Sequence, residues 1–221
     1  LHLDQMAEKL IRQAGAIPSF KGFEGFPYSI CASVDDQVVH GFSDKKKLRE
    51  GQLLSVDCGL ILDGWQADSA FTAPVGRISA EKQKLIQVTE ECFWKGAAAA
   101  INGNRIGDIG FAVQSHAEKN GYNAVRDLTG HGIGRKMHED PSVPNFGSAG
   151  HGARLRPGMT ICVEPMIAMG KWQVHQLADG WTIVTNDHMP SAHYEHTIAV
   201  CGQGKPEILT LHSAEWEGKT E

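Results

Sequence analysis

Three acidic residues stand inside apolar segments of the chain, where acids are uncommon. Asp57 lies in LSVDCGL, Glu164 in TICVEPMI and Glu195 in AHYEHTIAV. Asp and Glu are depleted in β-strands, and a buried carboxylate is costly unless it is paired, protonated or bound to a metal. Any one of these acids could equally lie on an edge strand or face solvent. Three of them, with few basic residues in the same segments, favour a metal site.

The geometry of a predicted hairpin links a fourth acid, Asp68, to Asp57. The dipeptide Asp63-Gly64 is a favoured two-residue turn between antiparallel strands. With that turn, Asp57 lies opposite Ala70, and Asp68 points to the same face because it is two residues from Ala70. The two carboxylates are then diagonal neighbours, with Cα atoms about 7–8 Å apart. Such side chains could share two metal ions about 3.5–4 Å apart, whereas a register shift of one residue would separate them.

Three of the histidines stand in contexts that suit a reactive site. His131 lies within TGHGIG, where glycines permit tight backbone turns and leave the imidazole reachable. His138 follows in the same stretch of chain, and His40 comes just after a β-like segment. We interpret the other isolated histidines as surface or hydrogen-bonded structural residues: His2, His116, His151, His175, His188 and His212.

Two further histidines belong to the same predicted strand as Glu195. His193 and His196 flank this acid, and we expect both to point to the face opposite Glu195 and therefore not to bind the same ion. Ligation by Asp and Glu oxygens with one imidazole suits Mn, Fe, Co or Zn in a two-metal hydrolase. The residues by themselves therefore predict a dinuclear metal hydrolase.

The segments that carry these residues show both helical and β-like patterns. A helical stripe covers residues 3–14, Ser79 caps a helix that runs to about residue 101, and a further helix spans about 106–119. The predicted strands are 53–62, 65–73, 122–128, 159–168, 181–185 and 193–201, with a short β pattern within 22–40. We predict a single α+β catalytic domain over residues 1–221, with helices on one face of a curved, mostly antiparallel sheet.

Composition argues against several classes of function. A net charge of −5 and a pI of about 6.1 leave no basic footprint for nucleic acid or an anionic membrane. We expect neither a membrane span nor a signal peptide. The absence of an initiator Met is consistent with a truncated N-terminus. A cytoplasmic protein with reduced thiols is expected, since no CxxC pair joins the cysteines, which are Cys31, Cys58, Cys92, Cys162 and Cys201.

Five elements of the sequence carry a resemblance to a known family. They are VDCG at 56–59, Asp68, GHGIG at 130–134, VEPM at 163–166 and YEHT at 194–197. Together they resemble the type 1 methionine aminopeptidases of the pita-bread metallopeptidase family M24, from about residue 5 to residue 201. Each motif is weak alone, whereas Asp, Asp, His, Glu and Glu in this order and spacing are specific. The resemblance implies the pita-bread fold, a curved, mostly antiparallel sheet with helices on its outer face.

The resemblance assigns a role to each ligand. Asp57 would bind one divalent metal ion and His131 with Glu164 the other, while Asp68 and Glu195 would bridge the two. A hydroxide between the ions is the nucleophile in such enzymes, and Glu164 would act as general base and proton shuttle. The implied cofactors are two ions of Mn, Fe, Co or Zn. The implied activity is removal of the initiator methionine, with preference for a small second residue.

The resemblance also implies substrate contacts. His138 would polarise the scissile carbonyl and stabilise the tetrahedral intermediate, and His40 would contact the substrate amide and assist the leaving amine. A methionine pocket, in which a thioether packs on aromatic rings, would be formed by Phe23, Phe26, Cys31, Met137 and Trp181. Ordinary core packing is a near-equal alternative for the two phenylalanines, and Met137 stands where the family suggests an aromatic residue. The expected partner is the N-terminal Met of nascent polypeptides, with the ribosome as a candidate and a monomer as the default.

Three alternatives share much of this pattern. Proline-directed aminopeptidases and prolidases have the same five ligands, but they usually carry an extra N-terminal domain, for which 221 residues leave no room. A metal-free binding protein on the same fold would typically lack some ligands, whereas all five are present here with His40 and His138. A type 2 enzyme needs an inserted helical segment, which the interval from Glu164 to Glu195 is too short to hold.

Overall fold

The computed structural model describes residues 1–211, so the predicted role of His212 lies outside the described residues. Within that range the helices are α1 (His2–Gln13), α2 (Ala80–Ala99) and α3 (Ile106–Lys119). The strands are β1 (Ile17–Pro18), β2 (Cys31–Val34), β3 (Gln37–Val39), β4 (Leu53–Leu62), β5 (Trp65–Pro74), β6 (Asn123–Ala124), β7 (Thr129–Gly132), β8 (Glu139–Pro144), β9 (Thr160–Val163), β10 (Met166–Ala168), β11 (Val174–Gln176), β12 (Ile183–Thr185), β13 (Ser191–His193), β14 (Glu195–Ala199) and β15 (Glu207–Ile208).

The helices lie where the sequence predicts them. Ser79 caps α2 by accepting a hydrogen bond from the Lys82 N–H at 3.3 Å. Apolar residues of α2 and α3 pack on one face of the sheets, as Phe93 and Ile109 do against Ile161 in a buried cluster. Among the helices of residues 1–211, none is both long and apolar enough to cross a membrane.

The predicted hairpin between β4 and β5 is confirmed, including its register. Asp63 and Gly64 adopt φ angles of 50° and 78°, the left-handed conformation that a tight two-residue turn requires. Asp57 pairs with Ala70, and Asp68 pairs with Gly59 two residues further along β4. The carboxylates of Asp57 and Asp68 therefore project from the same face of the sheet.

The strands form one large sheet and two small ones within the described residues. The large sheet has the order β1-β4-β5-β14-β9-β7-β8, with β2 paired to β4 and β15 paired to β14, and its pairs are antiparallel. The small sheets have the orders β13-β10-β6 and β11-β12-β3. This mostly antiparallel α+β architecture is the one that the sequence predicts.

Two predicted strands each divide between sheets. Segment 159–168 breaks after β9 at Glu164-Pro165, because proline has no N–H to continue the ladder. Segment 193–201 breaks at Tyr194, which lies between β13 and β14 and donates its N–H to the Pro165 carbonyl at 3.2 Å. Both segments therefore cross between the large sheet and the small sheet β13-β10-β6 at the same place, the first leaving the large sheet and the second entering it. Glu164 and Glu195 stand at this junction.

Three other segments differ from the prediction. The glycine-rich motif around His131 forms strand β7 rather than a turn, and β8 occupies a segment without an apolar pattern. Of the predicted strand 122–128, only Asn123 and Ala124 form a strand, which is β6. The residues after Ala124 do not continue its ladder with β10. Whether residues 1–221 form a single domain stays a prediction, since the description ends at residue 211.

Candidate metal centre

Two rows of residues across the large sheet bring three predicted acids together. In the first row Asp57 pairs with Ala70, which pairs with Glu195 of β14. In the second row the Thr197 hydroxyl accepts a hydrogen bond from the Asp68 N–H at 3.0 Å and donates to the Asp68 carbonyl at 2.9 Å. The two rows are two residues apart along each strand, so their side chains share a face. The acids therefore converge by strand register alone.

These side chains face a cavity of about 220 Å³. The cavity gathers the residues that the sequence indicates as ligands, catalytic groups and methionine pocket, which are Phe23, Phe26, Cys31, His40, Asp57, Asp68, His131, Met137, His138, Glu164, Trp181 and Glu195. The sequence interpretation did not indicate the other lining residues, which are Phe20, Glu24, Val39, Leu128, Thr129, Met166 and His193. One cavity thus combines an acidic part with an apolar part.

The acidic part of the cavity contains several carboxyl groups and no permanent positive charge among the described residues. It holds four carboxylates, and the described residues that line the cavity include no lysine or arginine. Asp57 Oδ1, Asp68 Oδ1 and Glu195 Oε1 are buried without a hydrogen-bond partner among the described residues. A buried charge of this kind must be protonated or compensated by a cation. A divalent metal ion would satisfy these oxygens.

The donor atoms form two groups that share Glu195. In each group the candidate ligand atoms lie within 4.8 Å of one another. The groups are Asp68, His131, Cys162 and Glu195, and Asp57, His193 and Glu195. Carboxylate oxygens with imidazole nitrogen suit Mn, Fe, Co or Zn. The residues present therefore fit divalent metal ions.

Burial raises the pKa of each of the four carboxyls in the acidic part of the cavity, which are Asp57, Asp68, Glu164 and Glu195. For Asp57 the pKa rises well above its usual range through burial first and then through the charges of Asp68 and Glu195. Burial raises the pKa of Asp68 to about 7, although hydrogen bonds from its neighbours oppose the rise. Burial followed by the nearby acids raises the pKa of Glu164 and Glu195. Without a cation the cluster retains protons near neutral pH.

His131 presents one ring nitrogen to the acids. Its Nδ1 lies 2.8 Å from the Gly132 carbonyl, which can only accept, so Nδ1 carries the hydrogen. The other nitrogen, Nε2, lies 3.5 Å from Glu164 Oε1. Burial lowers the pKa of His131 to about 4, so the ring is neutral at physiological pH. A neutral imidazole with a fixed tautomer is suited to bind a metal ion.

The glycines beside His131 serve close strand packing. A Cβ on Gly130 would lie 2.3 Å from the Cys162 carbonyl oxygen and 3.2 Å from Glu164 Cγ. Only glycine therefore lets β7 approach β9 closely enough to set His131 beside Glu164. This replaces the predicted reason for the glycines, which was a tight turn.

His138 and His40 both line the cavity and contact different rings. The His138 ring is edge-on to His131 with centroids 4.5 Å apart, and burial lowers its pKa. His40 has a left-handed φ of 57° and is edge-on to Trp181 with centroids 6.2 Å apart. Burial, followed by the charge of His138, lowers the pKa of His40. Both imidazoles are therefore neutral N–H donors near pH 7.

The predicted methionine pocket consists of aromatic rings and a thioether. Phe26 is buried and lies edge-on to Trp181 with centroids 5.0 Å apart. Met137 belongs to a buried cluster against which Phe20 and Phe23 pack. Phe23 and Phe26 fit both predicted roles, core packing and the methionine pocket. Each is packed in the protein and also lines the cavity.

The prediction that His193 points away from Glu195 is wrong. His193 Nε2 lies 3.7 Å from Glu195 Oε2 and 3.9 Å from Glu164 Oε2. Positions 193 and 195 are two residues apart, so strand alternation itself places both side chains on one side. His196, one residue from Glu195, packs instead on Phe93 of α2 with ring centroids 5.1 Å apart. The sequence thus contained the signal for His193 in its even spacing.

Comparison with known proteins identifies the family. The family model described as metallopeptidase family M24 matches residues 1–201. The chain belongs to metallopeptidase family M24. This M24 chain is 53% identical over 209 residues to a methionine aminopeptidase of Clostridium perfringens, covering 95% of this chain and 84% of that protein. It is 47% identical over 208 residues to methionine aminopeptidase 1 of Bacillus subtilis, covering 94% and 84%.

Solved structures confirm the pita-bread fold of this M24 chain. A crystal structure of methionine aminopeptidase from Rickettsia prowazekii matches with a TM-score of 0.93 and 42% identity, covering 95% of this chain and 85% of that one. A prolidase from Pyrococcus horikoshii matches with a TM-score of 0.74 and 20% identity, covering 96% of this chain and 54% of the prolidase. The second match concerns the fold alone.

Proposed function

We propose that this chain is a metal-dependent aminopeptidase that removes the N-terminal methionine from nascent proteins and peptides. The observation that carries the proposal is one cavity in which orphaned buried carboxylates open directly onto an apolar, aromatic pocket. Such an arrangement places metal chemistry next to a recognition site for an apolar side chain. Relatives that share about half of the sequence are named methionine aminopeptidases.

We assign the binding of two divalent cations to Asp57, Asp68, His131, Glu164 and Glu195. Asp57 would serve one cation, His131 with Glu164 the other, and Asp68 with Glu195 both. Bound cations of this kind lower the pKa of water towards neutrality and polarise a carbonyl oxygen. The assignment is supported by the unpartnered oxygens of the acids and by the fixed tautomer of His131. We propose Mn, Fe, Co or Zn as the metal.

Glu164 is the proposed general base. Its carboxylate lies at the junction of the sheets, 3.5 Å from His131 and open to the cavity. It would take the proton of the attacking water and pass it to the nitrogen of the leaving peptide as the carbon–nitrogen bond breaks.

His138 and His40 are the proposed substrate contacts. As a neutral imidazole, His138 can donate its N–H to the carbonyl oxygen of the scissile bond and stabilise the negative charge that develops there. His40, on the Trp181 side, can bond to the substrate amide and assist the leaving amine. The two residues would thus hold the scissile bond against Glu164.

The apolar part of the cavity would hold the methionine side chain. Its thioether can pack on the rings of Phe23, Phe26 and Trp181, with Met137 and Cys31 completing the wall. Met137 in place of an aromatic residue gives this wall a flexible side chain. We propose a preference for a small second residue in the substrate.

The substrate test compares two classes of peptide with metal supplied. We expect release of Met from Met-Ala-Ser and no cleavage of Ala-Pro peptides by the wild-type chain. Glu164→Gln, assayed in parallel, should release neither residue and thereby exclude a contaminating peptidase. Cleavage of Ala-Pro peptides without cleavage of Met-Ala-Ser would replace the proposal with a proline-directed enzyme.

We also propose that the enzyme acts as a monomer in the cytoplasm and meets nascent chains at the ribosome. The five cysteines are all free thiols, which is typical of proteins from a reducing compartment. Sedimentation with and without ribosomes would test the oligomeric state and the ribosome association. We expect a monomer when the protein is alone and co-sedimentation with ribosomes at moderate salt; a free oligomer would contradict the first part, and a lack of co-sedimentation would contradict the second.

A further inference from the structure

His193 is a buried imidazole that the roles above leave unused. Only 2% of its surface is exposed, it lines the acidic part of the cavity, and its Nε2 has no hydrogen-bond partner among the described residues. That nitrogen faces Glu195 Oε2 at 3.7 Å and Glu164 Oε2 at 3.9 Å. Both distances are too long for a hydrogen bond. A buried polar atom of this kind needs a partner, and residues 1–211 do not provide one.

The backbone of His193 is fixed in this position. Its N–H donates to Thr72 Oγ1 at 2.8 Å, and the same hydroxyl donates back to the His193 carbonyl at 2.9 Å. Thr72 is in turn 2.8 Å from the Ser55 hydroxyl, and His193 pairs with Met166 of β10. These contacts tie His193 to β4, β5 and β10 at once. The ring is therefore held among the acids by the fold.

The donor atoms of His193, Asp57 and Glu195 lie within 4.8 Å of one another and form a group distinct from that of His131. We propose that His193 supplies a nitrogen ligand to the cation that Asp57 and Glu195 hold. The inference rests on the proposed metal-dependent function and deepens it. The cation position with His131 and Glu164 then has one imidazole, and the position with Asp57 has one as well, from His193.

The chemical consequence concerns which metal the Asp57 position prefers. A position with only carboxylate oxygens suits Mn or Mg, whereas an added imidazole favours Co, Zn or Fe. With His193 as a ligand, the second equivalent of cobalt or zinc binds more tightly than in a variant without the ring. Removal of a hydrogen-bonding partner of a metal ligand typically lowers metal affinity roughly 10- to 100-fold, and loss of a ligand itself should lower the affinity at least as much. Manganese binding should change much less.

The test counts histidine ligands in the protein loaded with Co(II). Each imidazole bound to Co(II) gives a strongly shifted, solvent-exchangeable N–H proton resonance. We expect two such resonances in the wild-type chain with two equivalents of cobalt, and only one in His193→Gln. The second equivalent of cobalt should bind His193→Gln at least about tenfold more weakly. His196→Gln, which changes a buried histidine on the opposite face, should keep both resonances.

Three results would overturn the inference. A single resonance in the wild type, or two resonances retained in His193→Gln, would show that the His193 nitrogen lies near the acids without binding the cation. An unchanged second cobalt affinity in His193→Gln would do the same. If His193→Gln fails to fold, His193→Asn and the number of shifted N–H resonances in the wild-type chain still test whether His193 binds the cation. Failure of the proposed function is a distinguishable result. A chain that binds no cobalt and releases no methionine refutes both proposals, whereas a chain that releases methionine with cobalt but shows a single resonance refutes only the role of His193.

Discussion

We expect the chelated protein to lose stability as the pH rises from about 4 to about 7. Burial raises the pKa of folded Asp68 to about 7 from an ordinary value of 3.8. A carboxyl group whose pKa is higher in the folded than in the unfolded protein stabilises the fold when the pH lies below the unfolded pKa. That stabilisation is lost as the pH rises through the folded pKa. At 1.36 kcal/mol per pKa unit, Asp68 alone accounts for a loss on the order of 4 kcal/mol. The raised pKa values of Asp57, Glu164 and Glu195 act in the same direction.

Urea unfolding at pH 5 and pH 7.5, with chelator and with excess Mn, measures this effect. The chelated wild type should show the lower free energy of unfolding at pH 7.5, and metal should restore it. Asp68→Asn should flatten the pH dependence of the chelated protein. Asp108→Asn is the matched control, because backbone N–H groups lower the pKa of the Asp108 carboxyl. Its removal should therefore leave the fall in the free energy of unfolding between pH 5 and pH 7.5 in place. Stability that is constant or rises with pH in the chelated wild type would refute the argument.

Three further changes test individual parts of the site. Glu164→Gln should lower kcat for Met-Ala-Ser by at least about 100-fold while the protein stays folded, and near-full activity would remove Glu164 as general base. Gly130→Ala should destabilise the fold by about 1–3 kcal/mol and weaken metal binding, since its Cβ would lie 2.3 Å from the Cys162 carbonyl oxygen; thermal unfolding and metal titration check this. Met137→Ala should reduce the preference for Met over smaller first residues by about 10- to 200-fold in kcat/KM, and unchanged selectivity would place Met137 outside the pocket.

The acids could be predicted because their placement depends on short-range rules. Asp63-Gly64 sets the register of its hairpin locally, and that register puts Asp57 and Asp68 on one face. Glu164 and Glu195 stand out because acids are rare in apolar strands. The structure adds why they meet, which is that both stand where the chain passes between sheets.

The remaining features depend on contacts between distant segments. The glycines around His131 are needed because β9 and β8 approach them, and neither neighbour is visible in the local pattern. Glu24 and Phe20 reach the cavity through loop geometry that no periodicity encodes. His193 is different, because its even spacing from Glu195 is enough, by strand alternation, to place both side chains on one face.

We expect this chain to release N-terminal methionine only when metal is bound in its acidic cavity. The direct measurement is release of Met from Met-Ala-Ser by chelator-treated protein, before and during addition of Mn, Co or Fe. We predict no release before addition and recovery as the metal is restored, with Glu164→Gln inactive throughout. Release at full rate from the chelated protein, or none after metal is restored, would contradict the account.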